Sequence, residues 1–184
     1  MRSKRKQKGA GMERQWVTHP FEPVWNEQSE ILILGSLPSV KSRENQFYYG
    51  HPQNRFWKLL AGIFGEPIPQ SVEEKKRFIL DHHLALYDVF EGAEIAGSSD
   101  ASIRNPRPVN LASMLRGSNI HTVLCNGNTA GKAYKKYLEE DTGIQAITLP
   151  STSPANAAWS LERLTEAWKP SIILPVQKPI KKEK

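Results

Sequence analysis

A chain of 184 residues with 39% hydrophobic and 9% aromatic side chains has the length of one domain and enough apolar surface for a buried core, which excludes a wholly disordered protein. Its one cysteine, Cys125, excludes an internal disulfide, a thiolate zinc site and an iron–sulfur cluster held by four thiolates. No apolar run approaches the ~18–20 residues that cross a bilayer, and the net charge of +6 sits at the ends: residues 1–14 carry +5, residues 175–184 carry +3, and the body between them carries -2. Residues 1–14 and 175–184 therefore read as disordered basic tails that add salt-sensitive attraction to polyanions. Residues 15–174 read as a single folded domain. The N-terminal charges are not followed by an apolar run, so an intracellular protein is expected, cytoplasmic and nucleoid-associated in a prokaryote or nuclear in a eukaryote. His82 and His83, the closest histidine pair, diverge in either a helix or a strand, and neither a metal nor a cofactor is expected.

In chain order, Ile31-Leu32-Ile33-Leu34 is a continuous apolar run ending in Gly35-Ser36. A long loop follows, rich in aromatic and small polar residues, then amphipathic segments over residues 55–64 and 72–81, the second opened by a Ser71/Glu74 capping box. Leu86-Tyr87-Asp88-Val89 places a carboxylate in an apolar stretch. A short helix is predicted over 111–116, a strand over 122–125 ending in Asn126-Gly127, a helix over 129–140 ended by Gly143, a strand over 144–149, and a helix over 157–168. Asn54, Asn110 and Asn128 stand at N-cap positions. Continuous rather than alternating apolarity is the mark of strands covered on both faces, so the fold class is α/β, a three-layer α/β/α domain with a mostly parallel sheet. Ligands of such sheets bind at the carboxyl ends of the strands, which here carry Gly35-Ser36, Asn126-Gly127 and Pro150-Ser151.

Three loops carry the candidate chemistry. In the first, Gly35 and Ser36 expose backbone N–H groups, Ser39 and Ser42 offer hydroxyls to phosphate, and Tyr48 and Tyr49 offer faces for stacking a base, although closing the core suits at least one of them. Asn54, before Arg-Phe-Trp-Lys-Leu-Leu, reads from the residues alone as a helix N-cap ahead of any catalytic role. Asn126 fits a strand-end side chain, and Asp88 must be paired, hydrogen-bonded or shifted in pKa. The third loop, Pro150 to Asn156, reads as hydroxyls and N–H groups at a helix N-terminus, an anion site, with Pro154 stiffening it into a wedge. The plain alternative is a serine- and threonine-rich turn capped by Asn156.

Together these stretches resemble the uracil-DNA glycosylase superfamily. Gly35-Ser36-Leu37-Pro38-Ser39 looks like its first motif, His51-Pro52-Gln53-Asn54-Arg55-Phe56-Trp57 is similar to a stretch of the mismatch-specific branch, and Pro150-Ser151-Thr152-Ser153-Pro154-Ala155-Asn156 looks like its second motif. With Ala85-Leu86-Tyr87-Asp88-Val89 between them, the set most resembles the hypoxanthine-DNA glycosylase branch, over residues 31–168. The resemblance implies a four-stranded sheet and a monomeric enzyme, without cofactor, that flips a deaminated base from DNA and hydrolyses its N-glycosidic bond. Leu37 stands where the mismatch-specific enzymes carry an asparagine and the classical uracil enzymes an aspartate. In the hypoxanthine branch catalysis passes to the position of Asn54, with Asn126 assisting. By the same likeness Gly35, Ser36, Leu37, Pro38, Tyr49 and Asp88 hold the base, while Ser39, Ser151, Thr152, Ser153, Pro154, Ala155 and Asn156 contact the DNA, aided by Arg55 and Lys58. The alternatives are a uracil or thymine mismatch glycosylase, a noncatalytic module that binds damaged DNA, and a flavodoxin-like nucleotide-pocket protein. Cleavage of uracil rather than inosine duplexes, binding without an abasic product, and absence of salt-dependent DNA affinity would mark them respectively.

Overall fold

The apolar runs form the centre of the molecule. In a computed structural model, residues 14–96 and 102–173 are described; the sequence-predicted tails lie outside them except for Arg14. Four parallel strands, β2 (Ile31–Gly35), β3 (Leu84–Asp88), β6 (Thr122–Asn126) and β7 (Ile147–Leu149), pair in the order β3-β2-β6-β7. Their side chains alternate between two dry layers. Ile33, Leu84, Leu86 and Leu124 face one cluster, Leu32, Leu34, Ala85, Val123 and Cys125 the other, which is why residues 31–34, 84–86 and 123–125 read as unbroken apolarity.

One face is covered by α2 (Phe56–Phe64), α3 (Val72–Asp81) and α7 (Leu161–Ile173), through Phe56, Leu59, Leu60, Ile79, Leu164 and Trp168. The other is covered by α4 (Ala112–Arg116) and α5 (Asn128–Tyr137), through Met114, Ala130, Ala133 and Tyr134. The Ser71/Glu74 capping box opens α3 as the sequence predicts. The segment 129–140 divides at Leu138 into α5 and α6 (Glu139–Thr142), and Gly143, at φ 66°, ends α6. Asn128 lies in the first turn of α5 rather than capping it; Gly127, at φ 97°, holds that place.

A second sheet lies beyond the sequence expectations: β1 (Gln15–Thr18), β4 (Phe90–Ile95) and β5 (Arg104–Pro108), antiparallel in the order β1-β4-β5. Among the described residues its own core is Val17, Ala93 and Ile95, packed with Leu37 and Ile103, and two prolines fall in β5, at the sheet edge, where a missing N–H is tolerated. A single residue, Val89, links β3 to β4. This carries the second sheet from the carboxyl end of the first.

Cys125 is fully buried in β6, and burial pushes its thiol up to about 12. The thiolate is the reactive form. Iodoacetamide at neutral pH is therefore expected to leave native Cys125 intact and to alkylate it only after denaturation, a difference read directly by mass. Alkylation of the native protein at the rate of a free thiol would contradict this.

Candidate active site

The carboxyl ends of the parallel strands line up in register: Asp88 beside Gly35, Leu34 beside Cys125, and Asn126 beside Leu149. A cavity of about 350 Å³ opens over this row, within the range of small-ligand pockets. Gly35, Ser36, Leu37, Pro38, Ser39, Tyr49, Asn54, Asp88, Asn126, Ser151, Thr152, Ser153 and Ala155 line it, joined by Phe21, Tyr48, Ile95 and Ile103. Of the sequence-predicted site residues, Arg55, Lys58, Pro154 and Asn156 stand outside its lining.

Two backbone donors orient the asparagines. Thr152 N–H donates to Asn126 Oδ1 at 2.9 Å, and Phe56 N–H donates to Asn54 Oδ1 at 3.0 Å. A backbone nitrogen can only donate, so both amide oxygens are identified by chemistry. Asn126 Nδ2 then donates to Thr152 Oγ1 at 2.9 Å, and Thr152 Oγ1 donates to Asn54 Oδ1 at 2.9 Å. The chain Asn126–Thr152–Asn54 thus runs in one direction. Both lone pairs of Asn54 Oδ1 are engaged, and the group Asn54 has left for the cavity is its Nδ2. Arg55, not Asn54, holds the N-cap place of α2; the Asn54 side chain instead accepts from Phe56 N, and that bond is one of the two that fix the amide.

Thr152 is fully buried and its hydroxyl is committed to the two asparagines, so the phosphate contact expected of it is corrected: it has no surface to give a phosphate. Its neighbours differ. Ser151 Oγ accepts from Ser153 N, and Ser153 Oγ from Ala155 N, each at 3.2 Å, which leaves both O–H groups to donate outward. Ser39 caps α1 (Val40–Glu44), accepting from Ser42 N at 3.2 Å.

Arg55 is a second correction. Expected to attract the DNA backbone, it is turned inward and grips the third loop. Its Nη2 donates to Ser153 O at 2.6 Å and Asn156 O at 3.0 Å, its Nε to Thr152 O at 3.3 Å, its Nη1 to Trp159 O, and its backbone N–H to Thr152 O at 3.1 Å. Those carbonyls face a guanidinium rather than a helix axis. This is why residues 157–160 are not helical, and why α7 begins at Leu161 instead of 157 with Ser160 Oγ accepting from Arg163 N. Asn156 caps nothing; its Nδ2 donates to Ser151 O at 2.9 Å. The anion site at a helix N-terminus expected in this loop is therefore replaced by a tight polar turn. Lysine has no planar fork, so Arg55→Lys is expected to cost about 2 kcal/mol, from hydrogen bonds to a charged group. For a domain of this size that is a fall of roughly 4–8 °C in melting temperature. An unchanged thermal transition would refute the anchoring role.

The aromatic residues divide their tasks. Tyr48 is core, with its hydroxyl donating to Glu22 O at 3.1 Å and its carbonyl accepting from Trp57 Nε1 at 3.1 Å. Tyr49 takes a left-handed backbone, φ 54°, and stacks on Phe56 with centroids 3.8 Å apart. Burial, reinforced by the Asp88 charge, pushes both phenols far above the ordinary tyrosine range. They act as neutral surfaces and not as bases. Trp168 Nε1 donates to Pro150 O at 3.0 Å and pins the start of the third loop.

Gly35 is required by close approach: a Cβ there would lie 2.3 Å from Asp88 Oδ1. The other carboxylate oxygen, Oδ2, is 2.9 Å from His19 Nε2. Sequence reasoning missed His19 altogether; it follows β1, in a sheet the apolar pattern does not announce, 69 positions from its partner. Thr152 carried a signal, since it stands in the second motif, but its role as a bridge did not.

The uracil DNA glycosylase superfamily model matches residues 22–171. The chain is 38% identical over 153 residues to the hypoxanthine DNA glycosylase of Methanosarcina acetivorans, covering 82% of this chain and 95% of that one. It is also 38% identical over 152 residues to the hypoxanthine DNA glycosylase of Methanosarcina barkeri, covering 80% and 93%. A solution NMR structure described as a uracil DNA glycosylase from M. acetivorans superimposes with a TM-score of 0.72 at 33% identity, covering 84% of this chain and 95% of that one. A four-stranded parallel sheet between helical layers, a cavity at its carboxyl edge and these likenesses over most of the chain agree: the protein belongs to the uracil DNA glycosylase superfamily.

Proposed function

We propose that this member of the superfamily excises hypoxanthine from DNA, working as a monomer without cofactor beside the cellular DNA. A deaminated base rotates out of the duplex, at a cost of a few kcal/mol that is least at a mispair, and enters the cavity against Tyr49. The C1′–N9 bond breaks, its electron pair leaves with the base, and the sugar takes on oxocarbenium character. Water then bonds to C1′, loses a proton to solvent and leaves an abasic site.

Leu37 supplies neither charge nor hydrogen bond to that water. Asn54 does so through Nδ2, which donates to a water lone pair and fixes the molecule beside the cationic sugar. Orientation governs such a step more than proton removal does, because the acceptor is already electron-poor. Asn126 holds Thr152, and Thr152 holds Asn54. Ser39, Ser151 and Ser153 contact phosphates, while Pro154, Ala155 and Asn156 meet the vacated stack, with Lys58 and the basic tails adding salt-sensitive attraction.

The observation that carries this reading is the one-directional chain Asn126–Thr152–Asn54 on the cavity wall. Labelled duplexes bearing inosine, xanthine, uracil or a G·T mispair, treated with protein and then with alkali, test it. Fastest scission at inosine is expected. Scission confined to uracil or G·T would transfer the reading to a mismatch glycosylase, and intact strands despite measurable binding would make the protein a damage-binding module.

A further inference from the structure

His19, just past the end of β1, meets Asp88, the last residue of β3, which lines the cavity. His19 Nε2 lies 2.9 Å from Asp88 Oδ2, and the two side chains are 3% and 6% exposed. His19 N–H donates to Glu91 O at 2.8 Å, and its ring is boxed by Phe21, Tyr48 and Tyr87. Nδ1 is buried without a hydrogen-bond partner among the described residues. The ring proton therefore belongs on Nε2, where it is donated to Asp88, since an unpartnered N–H would be the costlier orphan.

A buried polar pair of this kind adds little stability over apolar packing, and the surrounding aromatic cluster could be closed without it. Its geometry suggests another use. One carboxylate oxygen is held by His19, and the other lies over Gly35, whose absent side chain makes room for it. Asp88 and Gly35 both line the cavity.

Deamination changes the hydrogen-bonding sense of a ring nitrogen. Adenine N1 is a lone pair beside an amino group, whereas hypoxanthine N1 carries a proton beside a carbonyl. A carboxylate offers only lone pairs, so it attracts the second and repels the first. Resting on the glycosylase reading above, we propose that Asp88 Oδ1 reads the ring N–H that deamination creates, and that His19 is the positioning residue that aims it. Asp88 pairs with Gly35, and Asn126 follows Cys125, the partner of Leu34, so the two stand at the carboxyl ends of the strands on either side of β2, two strand spacings or on the order of 9–10 Å apart. On this proposal the purine lies with N1 toward Asp88 and its glycosidic side toward the asparagines.

The test compares kcat/KM on duplexes carrying hypoxanthine with kcat/KM on duplexes carrying unsubstituted purine, whose N1 is a bare lone pair. Wild type is expected to prefer hypoxanthine. Asp88→Asn, which can turn an N–H toward purine N1, should lower hypoxanthine excision by about 10- to 100-fold while sparing purine, so that the preference collapses. His19→Gln, with an amide nitrogen near the place of Nε2, should keep most of the preference, and His19→Ala should lose it. Binding to an abasic-site duplex and a cooperative melt report that each variant is folded. A structural role alone would lower both substrates together, and an unchanged ratio in Asp88→Asn or His19→Ala would overturn the proposal. Equal excision of purine and hypoxanthine by wild type would overturn it without any variant. Failure of the glycosylase reading itself looks different: wild type would release no base from any deaminated duplex.

Discussion

Asn54→Ala is expected to lower single-turnover excision of hypoxanthine by about 10²–10³-fold, the usual consequence of removing one preorganised donor from a developing charge, with duplex binding nearly unchanged. The substitution removes Nδ2 from the cavity and leaves Thr152 Oγ1 without its acceptor. It also removes the bond to Phe56 N, so a stability loss of about 1 kcal/mol, the usual worth of one hydrogen bond, accompanies it. The two effects separate by measurement at a temperature well below the melt. Excision at the wild-type rate by a folded Asn54→Ala protein would remove Asn54 from the mechanism.

Gly35→Ala is the second large effect, and it arises from space alone. The new Cβ would stand 2.3 Å from Asp88 Oδ1 and 3.4 Å from the Tyr49 hydroxyl. Neither neighbour yields cheaply: Asp88 is held by His19 and Tyr49 is stacked on Phe56. Overpacking of this kind costs about 1–3 kcal/mol, and it displaces the carboxylate proposed above to read the base. A destabilised protein with excision reduced at least tenfold is expected, by analogy with small misplacements at reacting sites. Denaturant melts and single-turnover cleavage check both parts, and a Gly35→Ala protein with wild-type stability would show that Asp88 is free to move.

The layers of the fold were legible because burial leaves a direct mark on sequence. Ile31 to Leu34 and Val123 to Cys125 are apolar at every position because both faces of the sheet are covered, and Ser71 with Glu74 announces α3 through a local bond. The second sheet left no such mark. Gln15-Trp16-Val17-Thr18 buries one side chain and Arg104-Asn105-Pro106-Arg107-Pro108 buries none, so those strands are set by pairing with β4 rather than by apolar pattern. The start of α7 was misread for a related reason: residues 157–160 suit a helix, yet the carbonyls around them are taken by Arg55, about a hundred positions away.

The site divides in the same way. Motif resemblance placed Asn54, Asn126, Asp88 and the Ser151 to Ser153 loop together, and the cavity gathers them. Which atom each residue offers was not readable, because that depends on contacts between distant strands. Thr152 looked like a surface hydroxyl and is a buried bridge; Arg55 looked like a free cation and is a clamp.

The most direct test of the central claim follows both products at once. An inosine duplex is incubated with excess protein in heavy-oxygen water under single-turnover conditions, and free base, abasic strand and isotope content are measured together. The account predicts equal amounts of free hypoxanthine and of a strand that stays intact until alkali is added, with the heavy oxygen on C1′ of the abasic sugar. Tight binding of the duplex with no hypoxanthine released would contradict it.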